Sequence, residues 1–135
     1  MRGLKSRTFP ALLAAVSVAA LALAACGDED DDSVKSELQA AHDAMSQMIE
    51  RAEQGEVEEA EQTFEAIHDA LHRIDSEVRD IDVSQAQELS GIVIDVEEEL
   101  AGQRDASRLV ELAREMLQQI ERAAEILGLG PLGDE

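Results

Sequence analysis

The chain has no tryptophan and no tyrosine, and its two phenylalanines are Phe9 and Phe64. Stacking platforms for bases, and for sugars, are therefore missing. One cysteine, Cys26, excludes an internal disulfide. Proline is confined to Pro10 and Pro131, so nothing between them breaks a helix. Basic residues number 11 against 31 acidic ones, giving a formal charge of −20. That is the reverse of a nucleic-acid-binding footprint, and DNA or RNA binding is not expected. There is no phosphate-cradling glycine loop, no zinc-protease motif and no nucleophile with a dedicated base, so the chain reads as a non-enzyme.

What is present begins with the N-terminus. Arg2, Lys5 and Arg7 precede an apolar stretch from Phe9 to Ala25, which ends in Leu23-Ala24-Ala25-Cys26-Gly27. A basic region, an apolar region and small residues at the end are the parts of a secretory signal. An uncleaved membrane helix is the competing reading, but the stretch is near the lower limit for spanning. The Leu-Ala-Ala-Cys run resembles the lipobox of bacterial lipoproteins. The resemblance implies cleavage before Cys26, acyl groups on its sulfur and a protein held to a membrane by lipid. It would face outward in a one-membrane cell, or lie in the periplasm or at the outer membrane in a two-membrane cell. Cleavage would remove three basic residues and no acid, leaving eight against 31 and a charge of −23.

The remainder divides into a lipidated acidic tether (26–32), a helical domain (33–128) and a loose tail (129–135) rich in glycine. Four segments carry apolar residues at alternating spacings of three and four, the pattern of helix bundles. The first, about Ser33 to Ala52, carries Val34, Leu38, Ala41, Met45, Met48 and Ala52, and Gly55 stops it in a left-handed cap. The second, about Glu56 to Arg79, carries Val57, Ala60, Phe64, Ile67, Leu71, Ile74 and Val78. The third opens at Ser84 in a capping box with Gln87, carries Ala86, Leu89, Val93, Val96 and Leu100, and closes at Gly102. The fourth opens near Asp105 and carries Leu109, Ala113, Met116, Ile120, Ala123 and Leu127. Short connections make neighbours antiparallel. The expected fold is all-α, an up-down-up-down four-helix bundle.

The histidines are the candidates for chemistry. His68 and His72 lie one turn apart on the second segment, and folding the first hairpin about Gly55 brings His42 level with His68. With Glu65 or Asp69 they would suit zinc, copper or iron, so a divalent or copper ion is the cofactor to consider. Seam-flanking histidines are also ordinary surface residues. Met45 and Met48, about one and two turns beyond His42, would suit copper(I), but they fall on the apolar stripe and read as core.

The run Gly55-Glu56-Val57-Glu58-Glu59-Ala60, with Phe64, Ile67-His68, Leu71, Ile74 and Glu77-Val78-Arg79, then Leu89, Val93, Val96-Glu97 and Leu100, resembles the extracytoplasmic helical region of bacterial iron permeases and related iron-uptake lipoproteins. The likeness covers about Gly55 to Leu127. It implies a surface helical module that handles metal or docks to a transporter. The membrane Arg-Glu-x-x-Glu motif of those permeases is not matched. The nearest run, Arg114-Glu115-Met116-Leu117-Gln118, lacks the final acid. Two functions are therefore expected: binding an envelope protein, or binding iron, copper or zinc to assist cation uptake or sequestration.

Overall fold

The computed structural model describes residues 29–133, with side chains from Ser33. The leader, Cys26 and the first tether residues lie outside the described residues. Two compact units divide after Asp32, and the bundle core and the candidate sites lie in the second, Ser33–Glu135. Among the described residues the chain forms four helices: α1 (Glu29–Glu53), α2 (Val57–Arg79), α3 (Val83–Ala101) and α4 (Ala106–Ile126). No described helix is long and apolar enough to cross a membrane.

The helices form an antiparallel four-helix bundle. Their directions follow from side-chain pairs, in which residue numbers rise on one helix as they fall on the next. His68 and Asp75 of α2 meet Glu97 and Ser90 of α3. His42 and Glu53 of α1 meet Glu121 and Arg114 of α4. Arg73 of α2 reaches Glu37 of α1, and Gln85 of α3 reaches Gln119 of α4. Every expected stripe residue from Leu38 to Ala123 is buried except Val57, which with Val34 and Leu127 is partly buried against the core. The core is also wider than the stripes. Ala44, Ile92, Val110, Leu112 and Ala124 are buried too, because a helix with neighbours on two sides covers more than a two-position seam.

The ends follow local rules. After α1, Gly55 takes φ 79°, its N–H reaches Ala52 O and Glu56 N–H reaches Arg51 O, so the last carbonyls are satisfied. Gly128 (φ 71°) does the same after α4, with Leu129 N–H on Ala124 O. Asp105 caps α4 by accepting from Arg108 N–H at 2.9 Å.

Three expectations need correction. The first helix is longer than expected, since α1 starts at Glu29 rather than about Ser33. Aspartate and glutamate favour the positive end of a helix, which lets the acidic run join it. The cap of α3 is Asp82, whose carboxylate accepts from Gln85 N–H at 3.0 Å, and the Ser84 box is not used. Aspartate adds charge complementarity to the same capping geometry. Gly102 closes α3 as expected (φ −110°), and the left-handed residue of the turn that follows is Arg104 (φ 56°). Finally, the tail is not loose up to Gly133. Leu129 and Leu132 pack against the core, and Gly133 N–H donates to Gln39 Oε1 of α1.

Candidate functional site

Each side-chain pair across the bundle obeys one rule of helix geometry. One residue beyond a seam position is a rotation of about 100°. Neighbouring helices run in opposite directions, so that rotation carries the two side chains either toward each other or apart. In this bundle it carries α2 toward α3 and α1 toward α4. His68 and Asp75, which follow Ile67 and Ile74, therefore meet Glu97 and Ser90, which follow Val96 and Leu89. His42 and Glu53, which follow Ala41 and Ala52, meet Glu121 and Arg114, which follow Ile120 and Ala113. Residues preceding the seam take the other two faces: Glu37 with Arg73, and Gln85 with Gln119.

This separates the histidines. The first hairpin is in the expected register, as the Glu37–Arg73 pair shows, so His42 and His68 are level along the axis. They are nevertheless not brought together, because His42 turns toward α4 and His68 toward α3. His42 is 14% exposed and its Nε2 lies 3.4 Å from Glu121 Oε2. Its Nδ1 is buried without a hydrogen-bond partner among the described residues, covered by the tail at Gly133.

His68 is 31% exposed and its Nε2 is 2.6 Å from Glu97 Oε2. Phe64, His68 and His72 form an edge-to-face ladder along α2, with centroids 5.7 Å and then 4.5 Å apart. So the structure does bring His68 and His72 together, with Glu65 exposed beside them. Among the described residues no group of three or more His, Cys, Asp or Glu side chains is arranged to hold a metal ion. Met45 and Met48 are fully buried in the core.

A groove opens between α2 and the end of α3. It has a volume of about 410 Å³ and is lined by Glu61, Phe64, Glu65, His68, Asp69, Glu97, Leu100 and Ala101. Phe64 (2% exposed), Leu100 and Ala101 form an apolar floor. Glu61 is paired across the mouth with the guanidinium of Arg104 at 3.0 Å, which also donates to Leu100 O at 3.0 Å. Glu97 is engaged by His68. Glu65 and Asp69 form no ion pair among the described residues. Elsewhere the Arg51 guanidinium is held above its ordinary pKa by the hydrogen bond and charge of Glu56.

Glu97 and Glu121, the partners of the histidines, were not among the sequence candidates. Their signal is present in the chain: each follows a stripe residue directly, as the histidines do. Comparison with family models, with curated proteins and with solved structures found no match.

Proposed function

We propose that this chain is a lipid-anchored extracytoplasmic module. It is exported, cut before Cys26, held to a membrane by acyl groups on that cysteine, and binds another envelope protein without catalysing a reaction. The observation that carries the reading is Leu23-Ala24-Ala25-Cys26 at the end of a basic-then-apolar leader. The sole cysteine stands at the one position where lipid attachment would use it. Several acyl chains on one residue hold a protein stably, where a single chain holds only marginally. The bundle supports the second half of the reading. His42 and His68 each lie against a separate carboxylate on a different helix pair rather than around one shared centre. A cation-handling role would rest on His68 and His72 with Glu65 beside them.

The test is metabolic labelling with radioactive palmitate of cells making the full-length chain or its Cys26→Ala variant. The wild type is expected to take up label and sediment with membranes. The variant is expected to take up none, and to be released or kept as an uncut precursor. A variant that is still labelled and cut at the same bond removes the anchor and the reading with it.

A further inference from the structure

We infer that the groove between α2 and α3 is the docking site for a partner's basic segment, and that it seats an arginine side chain of that segment. The inference rests on the partner-binding reading and names the chemistry of the partner.

Charge complementarity selects the occupant. The groove joins an apolar floor to a carboxylate rim, so its ligand must carry apolar stem and positive head together. Arginine and lysine both have such stems. The rim decides between them. Glu65 and Asp69 are one helical turn apart on one face of α2, and neither is neutralised by the described residues. A planar guanidinium presents its donors as a fork that can serve two carboxylates at once, and it sheds water more readily than an ammonium. The adjoining carboxylate already holds one: Glu61 takes the guanidinium of Arg104, whose backbone sits at φ 56° in a region that disfavours side chains. Glu97 is oriented by His68 and adds a third negative charge at the wall.

A space of about 410 Å³ takes one or two side chains of such a segment. On the α1–α4 flank Glu53 is bridged to Arg114 at 2.8 Å and the tail covers His42.

The experiment uses the purified full-length chain in neutral detergent at about physiological ionic strength, where diffuse attraction is screened beyond roughly 8 Å. The probes are a short fluorescent peptide of alternating leucine and arginine and the same peptide with lysine. Binding is read by anisotropy, and the site by amide and histidine chemical shifts. The arginine peptide is expected to saturate at one per chain, shift Phe64, His68 and Ala101, and bind at least tenfold more tightly than the lysine peptide. The double variant Glu65→Gln/Asp69→Asn is expected to lose at least tenfold in affinity with an unchanged helical spectrum. Glu111→Gln/Glu115→Gln, the same charge removed from exposed positions on α4, is expected to bind as wild type. Equal binding of both peptides, equal losses in both double variants, or shifts scattered over all acidic faces would each overturn the site. The purified chain reports on the groove whether or not Cys26 is lipidated in cells, so this result and the labelling result fail independently.

Discussion

Replacing Gly133 by alanine tests the packing of the tail against a margin that the structure makes small. A Cβ at position 133 would lie 2.9 Å from His42 Cε1, and φ there is 86°. A left-handed backbone costs an L-residue about 1–2 kcal/mol, and the contact adds to it unless the imidazole moves. His42 has little room to do so, since its ring is mostly buried beside Glu121. Against this stands what the docked tail gains. Leu129 and Leu132 are partly buried, worth roughly 1 kcal/mol each on the scale of about 1.5–3 for full burial. The Gly133–Gln39 hydrogen bond, 3.3 Å long, adds on the order of 1 kcal/mol. Ordering the tail opposes these gains, and Pro131 and the cap at Gly128 lower that cost, so the alanine is expected to release the tail rather than strain the bundle. Each 1.4 kcal/mol changes the docked-to-free ratio about tenfold. The His42 Cε1–H resonance reports the state directly. In Gly133→Ala it is expected to move to the position seen when the chain is ended after Gly128, while the helical spectrum stays unchanged. A resonance left at its wild-type position would refute the packing of Gly133 on His42.

Helix caps and bulk charge give two further tests. Asp82→Ala and Asp105→Ala are each expected to cost about 1 kcal/mol, while Ser84→Ala costs only a few tenths, because only the aspartates accept from the first-turn amides. In a domain of this size 1 kcal/mol lowers the melting temperature by roughly 4–8 °C. Equal melting of Asp82→Ala and wild type would count against the cap. Salt is expected to raise the melting temperature between about 0.05 and 0.5 M sodium chloride, because 31 acids face 11 basic residues. Most of the arginines are already spent in exposed pairs, which contribute about 0–1 kcal/mol each. A melting temperature that falls with salt would mean those pairs outweigh the repulsion.

The fold was readable because apolar spacing reports directly which side of a helix is covered. Leu38, Phe64, Leu89 and Met116 follow from period alone, and all are buried. Gly55 and Asp105 were equally plain, since left-handed turns and first-turn amides have few suitable residues. The separation of His42 from His68 is not legible in the sequence for a geometric reason. Register fixes height along the axis, and height was right, but azimuth also depends on helix direction. One step beyond the seam takes His42 and His68 to opposite flanks, toward Glu121 and Glu97. The burial of Gln85, bonded to Gln119, is not legible in the sequence because polarity hides a core position until its partner is known. Nor is the docking of the tail, because glycine and proline mark a break in helix without saying where the chain goes next. Arg104 in a left-handed turn two residues after Gly102 has no local signal at all.

The ring of four helices is closed at unequal expense around its circumference. Asp75 and Ser90 join α2 to α3 across 15 residues of chain, whereas His42 and Glu121 join α1 to α4 across 79. Loop closure grows with the logarithm of chain length, which sets the second junction at a disadvantage of about 1.5 kcal/mol. It is also the junction where both ends of the described chain leave the bundle, and where the tail crosses from α4 to α1. Contacts between sequence neighbours close short loops cheaply, whereas the α1–α4 face needs the longest closure. The same face is therefore the natural seam of partial opening: α1 can lift away with the tail while the hairpins of α2, α3 and α4 stay closed.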